Sequence, residues 1–177
     1  VHLRVDHDED DAYISALIAA ATDYLDGAFG VLGRALVTQT WQMGLADWPA
    51  ASAMVLPVPP VQAVTSVSYF DAGNAPQVLA AENYRLVASE SRALIELVDG
   101  VGWPESYSRS DAISVTFTAG YGDTADDVPE PIRQAVRLLV AHWYDSARAA
   151  VSEGDLVAIP FGVRALTMNY RQARGLV

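Results

Sequence analysis

The densest chemistry in the sequence is the run Asp6-His7-Asp8-Glu9-Asp10-Asp11. Asp6, Asp8 and Asp10 alternate as the first ligands of a calcium loop do. Such a loop also needs Gly at its sixth position and a bidentate Glu at its twelfth, where this chain has Asp11 and Leu17. The run therefore reads as a solvated helix start, its acids facing the positive end of the macrodipole. His2 and His7 lie near these acids, but no H-E-x-x-H or other zinc spacing includes them, and His142 sits beside an apolar helical stripe as a structural histidine would. With no Cys, thiolate catalysis, disulfides and Cys-based zinc sites are excluded. No G-x-S-x-G elbow occurs. Gly27, Gly30 and Gly33 are evenly spaced, but they follow a helix instead of opening one, so a phosphate-binding loop is not read. Gly120-Tyr121-Gly122 reads as a turn. Carboxylates are plentiful and none is singled out as an acid–base pair. The chain is therefore expected to be a non-enzyme, with no catalytic residue, no metal site and no cofactor.

The arginines say more. All 11 basic residues are Arg, against 22 acids, for a net charge of −11. That balance argues against coating a phosphate backbone or an anionic lipid surface. Arg133, Arg137 and Arg148 fall within about 60° of one another on a helical wheel, with Tyr144 among them. Arg133 and Arg137, four apart, repel unless paired. The first 26 residues hold seven acids, Asp23 and Asp26 included, and one Arg. The Arg face is expected to meet this acidic face, in the same chain or in a neighbouring copy. Asp23, Asp26, Arg133, Arg137, Tyr144 and Arg148 are accordingly the candidate subunit contacts. From Ile159 to Val177 the sign reverses: Arg164, Arg171 and Arg174 appear with no acid, interleaved with Phe161, Leu166, Met168 and Tyr170. That is a basic, amphipathic ending suited to docking a partner. Trp41, Trp48 and Trp103 are the aromatic candidates for a small-ligand site.

These residues must be positioned by three zones. Residues 1–36 read as a helical part: Ile14, Leu17, Ile18, Ala21, Leu25, Ala28, Phe29 and Leu32 recur at steps of three and four, and Gly30 and Gly33 stop the helix. Residues 37–122 read as strands. Val37, Trp41, Met43 and Leu45 alternate with polar residues, as do Ile113, Val115 and Phe117. Val64–Phe70 is a strand, and Asp71-Ala72-Gly73-Asn74 turns it back into another near Gln77–Leu79. Tyr84–Ala88 and Leu94–Val98 are shorter strands. The prolines of Leu56-Pro57-Val58-Pro59-Pro60-Val61 predict an extended link instead of a central strand. Residues 123–177 are helical again, starting at Val128-Pro129-Glu130-Pro131 with the stripe Ile132, Ala135, Val136, Leu139 and Trp143, and ending in a short helix or tail over about Phe161–Arg174. The fold class is α+β: a helical core of two long helices plus a short C-terminal helix or tail, with an inserted small antiparallel β lobe, in one composite domain. No apolar run approaches the roughly 20 residues of a membrane span, and no signal peptide is read.

Taken in order, five segments give the chain a family likeness. They are His2-Leu3-Arg4-Val5-Asp6 with the acidic helix start; Gly33-Arg34-Ala35-Leu36 with Thr38-Gln39-Thr40-Trp41; Leu56-Pro57-Val58-Pro59-Pro60-Val61 with Val64-Thr65-Ser66-Val67; Phe117-Thr118-Ala119-Gly120-Tyr121-Gly122; and Val128 through Ala135 on to His142-Trp143-Tyr144. The chain resembles the head–tail connector (adaptor) proteins of long-tailed phages and of gene-transfer-agent particles. The family pattern carries a further helix ahead of His2-Leu3-Arg4, most of which this sequence lacks.

The resemblance implies a non-enzymatic virion component at the head–tail junction, assembled in the host cytoplasm. Its partners would be the portal protein, neighbouring copies in a ring commonly of about twelve, and a further head–tail or stopper protein. DNA would pass through the ring's channel without specific binding, and no membrane is involved. The C-terminal segment, with Phe161, Arg164, Leu166, Tyr170, Arg171 and Arg174, would reach toward the portal. The competing readings are a tail-completion or stopper component, and a small-ligand-binding β module.

Overall fold

The computed structural model describes residues 8–148 and 159–172; its fold is α+β, with three α-helices and two antiparallel sheets. The chain divides into two units, Val1–Gly33 with Ala125–Val177, and Arg34–Thr124.

In the first unit, α1 spans Asp11–Leu25, α2 Glu130–Arg148 and α3 Phe161–Thr167, followed by a 3₁₀ turn at Met168–Tyr170. Helix α1 ends well before the Gly30 and Gly33 stops expected from the periodicity. Asp26 is already extended and Gly27 turns left-handed (φ 76°). The chain then folds back, with Val31 N donating to Tyr24 O and Leu32 N to Leu25 O. Leu32 is thus buried from a loop, not from the helix, while Phe29 is 97% exposed. Gly30 is required here: a Cβ on it would stand 2.1 Å from Asp26 O. Helix α2 begins at the Pro-flanked start, and Ile132, Ala135 and Leu139 are fully buried as the pattern predicts. Farther along, its inward line runs through Val140 and Tyr144, leaving Val136 and Trp143 half-buried.

In the second unit, β1 (Gln39–Leu45), β7 (Ile113–Ala119), β3 (Val61–Phe70) and β4 (Pro76–Val78) form one sheet in the order β1-β7-β3-β4. Strand β7 is central, and its alternation is sharp. Ile113, Val115, Phe117 and Ala119 are fully buried, while Ser114, Thr116 and Thr118 stay half-exposed. The β3–β4 turn is fixed by Asp71, whose Oδ1 accepts from the backbone N of Gly73 (2.9 Å) and of Ala75 (3.0 Å). A second sheet has the order β2-β6-β5, with β2 at Ala53–Leu56, β5 at Tyr84–Ala88 and β6 at Ala93–Leu97. The expected small antiparallel β lobe is thus built from two sheets. The link expected over Leu56–Val61 is found, with strand residues at its two ends. Leu56 closes β2 and Val61 opens β3, so all three prolines fall between strands, where no ladder donor is lost.

Where the chain enters and leaves this unit, its backbone is tied together. Ala35 N donates to Pro59 O, Gly120 N to Pro60 O, Tyr121 N to Leu36 O and Thr38 N to Gly122 O. Gly120 has φ 142°, and a Cβ there would meet Val37 C and O at 2.4 Å, so only glycine fits this close approach.

Candidate functional site

Within the helical unit, α1 is held to α2 mainly through its ends. Tyr144 is buried, its hydroxyl donates to Asp10 Oδ2, and its ring lies 6.1 Å from that of Tyr13. Tyr24 meets Trp143 edge to face at 6.2 Å. Ala21 and Leu25 are the buried residues of α1, whereas Ala12, Ala16, Ala19, Ala20 and Asp23 are exposed. At 100° per residue those five fall on one side of the helix, an outward alanine ridge ending in a carboxylate.

Two residues of the expected Arg face, Arg133 and Arg137, are engaged at the start of their own helix. Arg133 pairs with Asp126 and with Glu130 Oε2 (2.6 Å), and Arg137 Nη1 pairs with Glu130 Oε1 (2.6 Å). The hydrogen bond from Arg137 and the charge of Arg133 hold the Glu130 carboxyl below the usual glutamate range. These pairs relieve the repulsion of two arginines four apart and put a carboxylate in the first turn of α2. Of the candidate contacts, Tyr144 reaches Asp10 at the start of α1. Asp23 is exposed, Asp26 is the C-cap of α1, and Arg148 ends α2 with its side chain outside the described residues.

The C-terminal segment is docked on its own unit. Val163 and Thr167 are buried, with Thr167 Oγ1 donating to Val163 O at 2.8 Å. A Cβ on Gly162 would come 3.3 Å from Leu138 Cδ1, so the missing side chain lets α3 lie close on α2. Gln172 N donates to Leu32 O at 2.9 Å and closes the segment onto the post-α1 loop. The opposite side of α3 is apolar yet open: Phe161 is 83% and Met168 66% exposed. Arg164 and Arg171 are exposed with them, while Leu166 and Tyr170 are half-buried. Arg174, like His2, Asp6 and His7, lies outside the described residues.

In the β unit, sequence reasoning missed the role of Arg34, which is 3% exposed. Its Nη1 donates to Glu90 O at 2.7 Å and to the Tyr121 hydroxyl at 2.9 Å, binding the β5–β6 turn to the entry and exit segments. The available signal was an Arg set between Leu32 and Ala35-Leu36, a charged residue inside an apolar stretch. Trp48 and Trp103 stack on each other at 4.7 Å with planes 8° apart, and Tyr69 meets Trp48 edge-on at 5.7 Å. Trp103 Nε1 donates to Ala51 O at 2.9 Å. Rings that cover each other's faces leave no slot for a flat ligand between them. Arg109 lies 3.8 Å over the Phe70 ring and is paired with Asp111, whose carboxyl its hydrogen bonds hold below the ordinary range. Among the described residues no three His, Asp or Glu side chains group as metal ligands would, and no helix is long and apolar enough to cross a membrane.

Set beside known proteins, the chain matches over residues 2–172 the family model described as head completion protein. Three solved assemblies contain chains of similar fold. One, described as the neck of an empty GTA particle computed with C6 symmetry, has a chain with TM-score 0.76 and 29% identity, covering 99% of this chain and 87% of that one. A second, the neck of a native GTA particle computed with C12 symmetry, gives TM-score 0.68 and 30% identity over 93% of this chain and 82% of that one. The third, the virion of a native gene transfer agent particle, gives TM-score 0.72 and 31% identity over 99% and 87%. No protein of curated function matches.

Proposed function

The chain belongs to the head completion protein family, and we propose on that footing that it is a head–tail connector of a gene-transfer-agent or phage-like particle. It would form a ring at the head–tail junction, extend the DNA channel below the portal and present a platform to a further head–tail or stopper protein. The observation that carries this reading is coverage. Nearly the whole chain, both units included, superposes on chains from particle necks at 29–31% identity. The symmetry of those necks supports a ring of neighbouring copies, twelve of them by the C12 description. The work proposed is mechanical, with no catalytic step. A surplus of acid, net −11, suits a protein past which DNA slides, because like charge repels phosphates instead of holding them.

The portal contact is proposed for the C-terminal segment of Phe161, Arg164, Leu166, Tyr170, Arg171 and Arg174. Half-buried Leu166 and Tyr170 anchor it to its own unit, leaving its positive charge for the partner. Electron microscopy of the full chain mixed with the portal encoded beside it tests the reading. A ring of density added below the portal is the expected result. Density found only farther down the tail would favour a stopper or tail-completion component instead, and no density with any particle component would remove the connector reading.

A further inference from the structure

Three features make the open side of α3 unusual. Phe161 and Met168 are more exposed than surface aromatics and methionines need be, at 83% and 66%. Both sit on one side of a helix whose other side is already spent on α2. Arg164, beside them, makes no ion pair among the described residues, although acids outnumber bases two to one in this chain. An acidic, small-featured surface is what such a face fits, and α1 carries one. Residues 8–33 contain six acids and no base. The exposed ridge Ala12-Ala16-Ala19-Ala20 offers shallow positions into which large side chains settle, with Asp23 at its end. Arg133 and Arg137 of α2 pair with Asp126 and Glu130 and not with this ridge.

We infer that the α3 face of one copy docks on the α1 ridge of the next, with Phe161 and Met168 on the alanines and Arg164 toward the acids of α1. The inference rests on the connector reading and deepens it by naming the subunit contact. Two different, oppositely charged patches on each copy are what a head-to-tail contact requires, and such contacts close into rings. Shape and charge act together here: the apolar side chains supply area removed from water, and the Arg–acid pairing fixes polarity and suppresses like-with-like approach. The contact withdraws Phe161 and Arg164 from the portal-facing set proposed above, which then consists of Arg171 and Arg174 beyond the anchoring Leu166 and Tyr170.

Because the chain has no Cys, paired cysteines report the contact cleanly. The full chain carrying Ala16→Cys and Phe161→Cys would be assembled into particles and mildly oxidised, then run on a denaturing gel. A ladder in multiples of this chain, absent from each single variant, is the expected result. Disulfide-linked partners are read on a gel, so a second arm tests energetics without new covalent chemistry. Arg164→Glu should reduce recovery of rings at least tenfold, and Asp23→Arg added to it should restore much of the loss. Both are exposed positions, so folding is checked by an unchanged thermal transition. Particles with normal neck density but no ladder and no effect of Arg164→Glu overturn the contact while leaving the connector reading intact. A Phe161→Cys partner that cross-links only to a Cys-bearing portal overturns it in favour of portal docking. Absence of the chain from necks altogether overturns the connector reading and the contact with it.

Discussion

Replacing Gly120 with Ala tests the way the β unit is closed at its base. The residue has φ 142°, a region that L side chains avoid, and occupying it costs ~1–3 kcal/mol. The new Cβ would lie 2.4 Å from Val37 C and O and 2.5 Å from Thr38 N. All three are backbone atoms, so no side chain can swing aside. Forcing the segments apart adds roughly 1–3 kcal/mol of overpacking. It also weakens the bonds from Tyr121 N to Leu36 O and from Thr38 N to Gly122 O, each worth about 0.5–1.5 kcal/mol. Strain and overpacking alone come to roughly 2–6 kcal/mol, a large part of the roughly 5–15 kcal/mol that holds a domain folded. Urea unfolding should show a midpoint lowered by about 2 M, given slopes of ~1–3 kcal/mol per M. Gly44→Ala is the control. Nothing lies within 4 Å of a Cβ there, and its effect should stay within ~0.5 kcal/mol. Equal midpoints for the two variants would refute the argument that this close approach closes the unit.

Other perturbations follow from the same geometry. Arg34→Met should cost about 1–3 kcal/mol, because Glu90 O and the Tyr121 hydroxyl lose their donor; hydrogen exchange should rise first in the β5–β6 turn. Phe117→Ala, at a fully buried position of the central strand, should cost roughly 3–5 kcal/mol in the same urea experiment. Val58 is a β-branched residue held at φ 59° yet buried. Val58→Gly trades about 1–3 kcal/mol of relieved strain against ~1.5–3 kcal/mol of lost burial; its midpoint should therefore move far less than that of Val67→Gly. Glu130 has a folded-state pKa depressed by Arg137 and Arg133, so its contribution is present above the ordinary glutamate pKa and lost as pH falls through the depressed one. Glu130→Gln should melt below wild type at neutral pH, and the gap should close in acid; a constant gap across that range would contradict the pairing.

The parts of the fold set by local alternation were readable from the chain alone. The strand at Tyr84–Ala88 and the buried side of β7 follow from residues that repeat every second position. The hairpin at Asp71–Asn74 follows from turn chemistry. What local pattern cannot encode is where the chain returns to. Phe29 and Leu32 continue the α1 period perfectly well, and only the backbone bonds from residues 31 and 32 to residues 24 and 25 reveal a loop folding back over Gly30. Strand β2 was lost for a related reason. Four residues beside a proline cluster give too short an alternation, and their pairing with β6 lies some forty positions away. Tyr144 belongs inward because Asp10 and Tyr13 wait for it on another helix, a fact no window on α2 contains. Charge behaved similarly: the arginines of α2 were visible, but Arg133 and Arg137 pair with Asp126 and Glu130 beside their own helix start.

That last point changes what the charge distribution is for. Six of the 11 arginines follow residue 130, while residues 1–33 hold seven acids and a single Arg. Had the α2 arginines neutralised α1 within one chain, each copy would present a bland helical surface with no preferred way to meet another. Because Arg133 and Arg137 are satisfied at their own helix start, they are not the partners of Asp23, which stays exposed on α1, and Arg164 stays exposed on α3. A two-fold contact through either face would set like against like, at a cost screened only beyond the ~8 Å reach of charge in physiological salt. A contact between the two faces opposes nothing, and repeated from copy to copy it generates a ring or a filament according to whether its rotation closes. Under the proposed contact the polarity of the sequence favours head-to-tail over two-fold assembly, and raised salt should loosen the assembly without unfolding the chain.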